Sequence, residues 1–168
     1  MYGKIALGMF NEIDTANKAG AMIASLTLTY VCIDAMTYLS IPLGRKEQNR
    51  HNFIEWVNKY LKTDPAQPYQ YDGNDVYAAR CGQLHTYSPD STFGGKQNCK
   101  KFGYHDGSEH AYNPAESPIL VMISVKRLIN DFYAAVDAFF QEAIKNPELK
   151  KNIDSRIQQL YQQFQFGQ

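Results

Sequence analysis

Arg80 and His85 are the residues in this chain best suited to chemistry, because both lie on hydrophobic rows of a predicted short helix. Steps of four residues lead from Val76 to Arg80, and from Tyr77 through Cys81 to His85. Burying a guanidinium without a partner costs several kcal/mol, on the order of a small domain's whole stability. Arg80 is therefore expected to meet a carboxylate, a dimer cleft or an anion.

Two groups of elements must position these side chains, and the first precedes them in the chain. A long, nearly all-apolar helix is predicted from about Asp14 to Leu39. Asn52 is expected to cap a second helix, with Glu55 at the reciprocal position. The side-chain oxygens of residues 72–75 can cap a helix and so favour the start of a third, short helix that carries Arg80 and His85.

The second group follows the motif. Pairing of Lys101–Tyr104 with Ile119–Ile123 in a small hairpin is expected within an insertion at about 88–123. Ser124 favours the start of a fourth helix. Asn146 and Pro147 favour the start of a fifth, whose inner stripe is Leu149, Ile153, Ile157, Leu160 and Phe164. The prediction is a single all-α domain over 1–168, an up-and-down bundle of four or five helices.

Composition narrows the classes of function. Lysine plus arginine equals aspartate plus glutamate at 17 each, so no overall basic excess favours polyanion binding. The three cysteines are far apart, as expected for reduced thiols in a cytosolic protein. The apolar run from Ala19 to Leu39 contains Asp34 and several hydroxyls, so we interpret it as a buried helix and not a membrane span. The absence of a signal-peptide pattern adds to a cytoplasmic expectation.

The segment Arg80-Cys81-Gly82-Gln83-Leu84-His85, on the third helix of an all-helical chain, resembles the Arg-x(4 to 6)-His motif of the HEPN superfamily. The resemblance implies a homodimer whose motif helices face each other. In active members it implies a metal-independent endoribonuclease without a cofactor. His85 would take the proton of a ribose 2′-hydroxyl, and Arg80 would donate hydrogen bonds to the phosphorane oxygens.

The spacing of the motif bears on this expectation. Arg80 and His85 are five positions apart, which corresponds to roughly 140° around an ideal helix and about 7.5 Å along its axis. At this spacing the two side chains would meet with difficulty within one chain and more easily across the two-fold axis of a dimer. Ala78 and Gly82 would let another helix approach, although packing within the chain would use them equally well.

Further residues are candidates for holding RNA. Cys81 takes the position after the arginine, where many HEPN members have a polar residue, and Tyr87 follows the motif. Lys100 and Lys101 lie among Phe93, Phe102 and Tyr104, a mixture of charge and aromatic rings that can hold a nucleic-acid strand. A solvated loop with a few anchoring aromatics is the simpler interpretation of that segment.

Three alternatives remain open at this point. Arg80 can form a structural ion pair, with Asp75 or a carboxylate on another helix, in a non-catalytic module whose loop from Ser88 to Ser117 contacts a regulatory protein partner. Cys81 and His85 have the i, i+4 spacing of zinc ligands, with His51, Cys99, His105 or His110 as the remaining donors. The His105–His110 loop, with Asp106 and Glu109, is expected to be solvated surface and not a metal site.

Overall fold

The computed structural model describes residues 2–45, 47–62, 64 and 69–160. Helices dominate this part of the chain, and a two-stranded sheet accompanies them. The all-α prediction is therefore correct for the bulk of the fold, although the fold is not purely helical because the insertion contributes two strands.

The N-terminal region forms two helices where one was predicted. Helix α1 spans Tyr2–Lys18 and helix α2 spans Met22–Ser40. The break falls at Gly20, whose φ of 74° lies in the left-handed region that glycine adopts without strain. The prediction of one helix from Asp14 to Leu39 missed α1 because it ran through this glycine.

Helix α3 spans Arg50–Trp56 and continues into a π-helical turn over Val57–Leu61. Its N-cap is Asn49, which exchanges side-chain to backbone hydrogen bonds with Asn52 in a capping box. Asn52 is thus the reciprocal residue and not the cap, and the cap lies three residues earlier than predicted, at Asn49.

Helix α4 spans Gly73–Thr86 and carries the motif. Asp72 accepts hydrogen bonds from the backbone of Asn74 and Asp75, as the capping oxygens at 72–75 predicted. The insertion that follows contains a further short helix, α5, over Thr92–Gln97, which the sequence analysis did not foresee.

The insertion also contains the sheet. Strand β1 spans Lys101–His105 and strand β2 spans Leu120–Ser124. The two strands pair in the expected region but run parallel, with Lys101 opposite Leu120, so they are not a hairpin. The connection over 106–119 is long enough to return the chain to the start of the sheet, and within it Ala111 bridges Met122 on the other side of β2.

The last helices begin where predicted. Helix α6 spans Val125–Lys145 behind an N-cap at Ser124. Helix α7 spans Pro147–Arg156 behind Asn146 and ends in a 3-10 turn. Of the predicted inner stripe of α7, Leu149, Ile153 and Ile157 are buried, whereas Phe164 lies outside the described residues.

Helix α2 occupies the centre and packs against α1, α3, α4, α6 and α7. The aromatic rings of Phe132 and Phe139 on α6 are fully buried in the core. The Arg156 guanidinium, 6% exposed, donates hydrogen bonds to the carbonyls of Ile41, Pro42 and Arg45 and so ties α7 to the end of α2. Within the described residues α2 alone is long and apolar enough to cross a membrane, and half of that apolar stretch is buried in the protein.

Candidate functional site

The guanidinium of Arg80 is bound to a carboxylate on another helix. Its Nε and Nη2 atoms lie 2.8 and 2.6 Å from Oδ2 of Asp34 on α2. The other oxygen of Asp34 accepts a hydrogen bond of 2.9 Å from the side chain of Gln48. Arg80 and Asp34 have side chains only 19% and 18% exposed, so the ion pair is largely shielded from water. One edge of the guanidinium is thereby fixed.

This ion pair keeps Arg80 charged. Burial on its own lowers the pKa of Arg80, but the hydrogen bond and the charge of Asp34 outweigh that effect and raise it. The group is accordingly a permanent cation whose charge is balanced locally. Of the alternatives for Arg80, a carboxylate on another helix is the one the structure contains, while Asp75 instead bonds the backbone of Asp72 and Lys100.

The free end of the same guanidinium faces His85. Nη1 of Arg80 lies 3.3 Å from Nε2 of His85, and His85 is exposed. Because a guanidinium has no acceptor, this hydrogen bond requires a lone pair on Nε2 and leaves the proton of a neutral ring on Nδ1. A nitrogen lone pair and a guanidinium edge therefore meet at one accessible point.

The contact also corrects an expectation from the spacing. Two side chains five residues apart on one helix were expected to meet awkwardly within a chain. The long arginine side chain spans that separation, so the Arg80–His85 contact is complete in a single chain. The spacing by itself therefore gives no argument for a second subunit.

Two other predicted site residues flank this pair. The thiol sulfur of Cys81 lies 4.0 Å from Nη1 of Arg80, and its side chain is half-buried. Tyr87 follows the helix in the left-handed conformation, with φ of 52°, and is 75% exposed. The end of α4 thus presents an aromatic ring to solvent two residues after the exposed imidazole.

The two predicted lysines are engaged elsewhere. The Lys100 ammonium bonds the carbonyl of Gln70 and lies 5.0 Å from the ring centre of Tyr112. Lys101 pairs with Asp90 at 2.6 Å. No contact joins either lysine to Arg80 or His85 in the described part of the chain.

The aromatic side chains of the insertion act as anchors, as the simpler interpretation held. Phe102 is 2% exposed, and Tyr104 shares a hydrogen bond of 2.9 Å with the hydroxyl of Tyr30 in the core. Phe93 packs edge-on against Tyr77 of α4, with ring centres 5.0 Å apart.

The small residues of α4 accommodate the chain itself. A Cβ atom at Gly82 would lie 2.3 Å from the carbonyl oxygen of Ser88 and 3.0 Å from that of Asp90. Ala78 lies beneath Gly94 of α5. This surface of α4 is covered by the turn and helix that follow it, so packing within the chain is the use made of Ala78 and Gly82.

The histidine loop differs from expectation. His110 is not a solvated residue, because its side chain is 8% exposed and its Nδ1 accepts a hydrogen bond from the backbone N–H of Ser124. Its Nε2 atom faces Asp131 at 3.5 Å and the Tyr71 hydroxyl at 3.4 Å. Packing of the insertion against α6 buries this ring.

The described residues offer no further ligands for the zinc site considered as an alternative. Among residues 2–45, 47–62, 64 and 69–160, no group of three or more histidine, cysteine, aspartate or glutamate side chains is placed to hold a metal ion. Cys81 and His85 therefore lack the additional donors that a tetrahedral site requires.

Asp34 is the partner of Arg80 that sequence reasoning did not name. Its signal was present, because an aspartate interrupts an otherwise apolar helix just as Arg80 interrupts an apolar row. Two opposite charges on two buried faces are each expensive alone and acceptable together. This rule could have suggested the Arg80–Asp34 ion pair from the sequence alone.

Comparisons with protein-family models, with curated proteins and with solved structures return no match to this chain. The functional argument therefore rests on the geometry of Arg80, His85 and Asp34.

Proposed function

We propose that this chain is a HEPN-like, RNA-acting protein, an up-and-down helical bundle that acts as a metal-independent endoribonuclease through Arg80 and His85. The observation that carries the proposal is the 3.3 Å contact between Nη1 of Arg80 and Nε2 of His85 at an exposed position. A general base and a fixed cationic donor side by side are what cleavage of an RNA phosphodiester requires.

In the proposed reaction, the substrate displaces the hydrogen bond that Arg80 donates to Nε2 of His85, and the freed lone pair accepts the proton of a ribose 2′-hydroxyl. The 2′-oxygen then attacks the adjacent phosphorus while the outer edge of the Arg80 guanidinium donates hydrogen bonds to the phosphorane oxygens. The bond to the 5′-oxygen breaks, and that oxygen takes a proton from an imidazolium. The products are a 2′,3′-cyclic phosphate and a free 5′-hydroxyl.

A homodimer is part of the proposal. Val31 precedes Asp34 by about one helical turn on α2 and is 47% exposed. Leu28, Val31 and Ala35 follow the three- and four-residue spacing of a helix-packing stripe, in which Val31 is exposed and Leu28 and Ala35 are partly buried against the core. Together with exposed Tyr87, they support a symmetric contact beside the two Arg80–His85 pairs, in which the second His85 supplies the imidazolium.

A second candidate function is a non-catalytic interaction module. It is favoured by the Arg80–Asp34 ion pair, which has the burial and geometry of a structural contact between α2 and α4. In this function Arg80 joins two helices, and the exposed parts of the segment 88–117 contact a regulatory protein.

One experiment separates the two functions. Purified wild type, His85→Ala and Arg80→Lys proteins are incubated in excess EDTA with an RNA that contains single-stranded and structured regions. The ribonuclease proposal expects cleavage by wild type with 2′,3′-cyclic phosphate ends, and a loss of about 10²- to 10⁴-fold in His85→Ala. Arg80→Lys keeps the charge but loses the planar fork, so its cleavage should fall as well.

Thermal unfolding of the same proteins provides the control. His85 is exposed, so His85→Ala should change stability by no more than about 0.5 kcal/mol. Arg80→Ala would strand the largely shielded Asp34 and should cost about 1 to 3 kcal/mol under either function. Equal cleavage by wild type and His85→Ala, or none by wild type, would reject the ribonuclease and favour the module.

A further inference from the structure

An exposed cation lies on the surface next to the Arg80–His85 pair. Arg50 is the first residue of α3, and it is exposed. Of the described residues, no aspartate or glutamate forms an ion pair with Arg50, and its neighbour His51 is the residue that pairs with Glu55. The helix dipole favours acidic groups in a first turn, so the stability of α3 does not explain a cation at this position.

The guanidinium of Arg50 is held in place by an aromatic ring. Its Cζ atom lies 5.2 Å from the ring centre of Phe93 on α5, which is a cation–π contact. The Phe93 ring in turn packs at 87° against Tyr77 of α4, with ring centres 5.0 Å apart. A cation–π contact fixes the position of a guanidinium without supplying a hydrogen-bond acceptor, so the N–H donors of Arg50 stay available to an anion.

Two sets of contacts connect Arg50 with Arg80. Tyr77, which touches Phe93, precedes Arg80 by three residues on α4, so the side chains of Tyr77 and Arg80 lie on the same face of that helix. Gln48 lies two residues before Arg50 in the chain. Its hydrogen bond of 2.9 Å to Asp34 attaches the start of α3 to the carboxylate that binds Arg80.

The charges of the two arginines act on one hydroxyl group. Burial is the largest cause of the raised pKa of Tyr77, and the charges of Arg80 and Arg50 both oppose it. The carboxylate of Asp34 compensates the charge of Arg80, whereas in the described ranges no ion pair compensates that of Arg50. Like charges on one surface repel each other, and a row of negative charges laid across both removes the repulsion.

We propose that Arg50 binds a phosphate of the RNA strand that flanks the cleaved phosphate, so that the strand runs from His85 and Arg80 across Tyr77 to Arg50. This inference rests on the proposed ribonuclease and specifies its substrate as a strand with phosphates on both arginines. A guanidinium binds phosphate through two parallel N–H···O bonds, and Phe93 already orients the planar group. A dinucleotide, which has one internucleotide phosphate, would leave Arg50 unused.

The test measures binding without cleavage. A fluorescein-labelled single-stranded RNA of about 12 nucleotides, with 2′-fluoro groups in place of the hydroxyls that attack, is titrated with protein between about 50 and 300 mM KCl and followed by anisotropy. The slope of log K against log salt is about −0.7 for each phosphate contacted on a single strand. Arg50→Gln should therefore make the slope less steep by about 0.7 and weaken binding by about three- to tenfold at the lowest salt concentration.

Two further variants identify the cause of such a change. Arg50→Lys keeps the positive charge and should keep the wild-type slope. Lys126→Gln removes an exposed charge from α6, where Lys126 lines a separate cleft with Asn17 and Met22, and should leave the slope and the affinity unchanged. The proposal is overturned if wild type does not bind, if Arg50→Gln keeps the wild-type slope, or if either of these two variants loses as much of the slope as Arg50→Gln.

Cleavage of the unmodified strand distinguishes failure of this inference from failure of the ribonuclease. When wild type is active, Arg50→Gln should raise KM by about three- to tenfold and leave kcat within about twofold. A wild-type KM in Arg50→Gln would overturn the inference and leave the ribonuclease in place. No cleavage by wild type, together with the expected change in slope, would reject the ribonuclease alone, because the slope would still assign one phosphate contact to Arg50.

Discussion

At the scale of single residues, Asp34 determines what Arg80 can do. It occupies the edge of the guanidinium formed by Nε and Nη2, and Gln48 holds the carboxylate from the other side. The Nη1 end is left facing His85. A rigidly held cation needs no reorganisation when charge develops on a substrate, which is the basis of electrostatic catalysis. The same rigidity would serve a purely structural contact.

Glu142 provides a pH-dependent prediction at this scale. The pKa of Glu142 in the folded protein is lowered, chiefly by the hydrogen bond from Lys59. A lowered folded pKa means that this carboxylate stabilises the fold above the ordinary glutamate pKa of about 4.3 and loses that effect as the pH falls through the folded value. Glu142→Gln should therefore destabilise the protein at pH 7 and make little difference near pH 3.

The expected loss of stability in Glu142→Gln is small because the side chain of Glu142 is 32% exposed and that of Lys59 is 55% exposed. Urea unfolding should give a difference of at most about 1 kcal/mol at pH 7. In a Lys59→Met background the same substitution should cost less, since the pair is already broken. A difference that grows toward low pH would contradict this assignment.

At the scale of elements, three capping signals were reliable, whereas the predicted cap at Asn52 was wrong because Asn49 caps α3. Asp72, Ser124 and Asn146 cap helices α4, α6 and α7 as predicted, because a cap depends on hydrogen bonds within about three residues. The direction of β1 against β2 was not predictable in that way. It depends on where the connection over 106–119 lies, and Ala111 takes the antiparallel position that a hairpin strand would have occupied.

Gly82 offers a prediction about an element. Gly82→Ala adds a methyl group 2.3 Å from the backbone oxygen of Ser88, and backbone cannot move aside as a side chain can. The gain in helix propensity from glycine to alanine is about 1 kcal/mol. The clash should exceed it, so we expect a net loss of about 1 to 3 kcal/mol in chemical denaturation.

Gly95→Ala is the matched control, because Gly95 also lies in a helix and a Cβ atom there meets nothing within 4 Å. Its substitution should be neutral or slightly stabilising. Equal stability of the two alanine variants would show that the turn over 87–90 does not pack against α4 as described.

At the scale of the whole molecule, the proposed dimer gives the clearest prediction. A symmetric contact through α2 should give twice the chain mass of 19.1 kDa in sedimentation equilibrium. Val31→Glu places a charge at the exposed centre of the partly buried stripe on α2 and should return the protein to the monomer mass.

Leu7→Glu is the control for that substitution. Leu7 is 59% exposed on α1, outside the proposed contact, so its replacement should leave the mass unchanged. Circular dichroism of Val31→Glu and Leu7→Glu is the measurement that checks whether both variants remain helical. A monomeric wild type at about 100 μM would reject the dimer, because stable homodimers form well below that concentration.

The sequence by itself determined the features that depend on near neighbours. These are the caps of three helices, the apolar face of α6 and the presence of Arg80 and His85 on apolar rows of one short helix. Side-chain period and capping chemistry act within a few residues, so they can be recognised without a fold.

Only the tertiary structure decided which groups meet. Asp34 is 46 residues from Arg80 in the chain, and His110 is buried by α6 although its own loop is polar. Arg50 of α3 meets the ring of Phe93, which lies in the insertion. Contacts of this kind depend on the packing of distant helices, and packing is fixed by the sum of all buried surfaces and not by any short stretch of sequence.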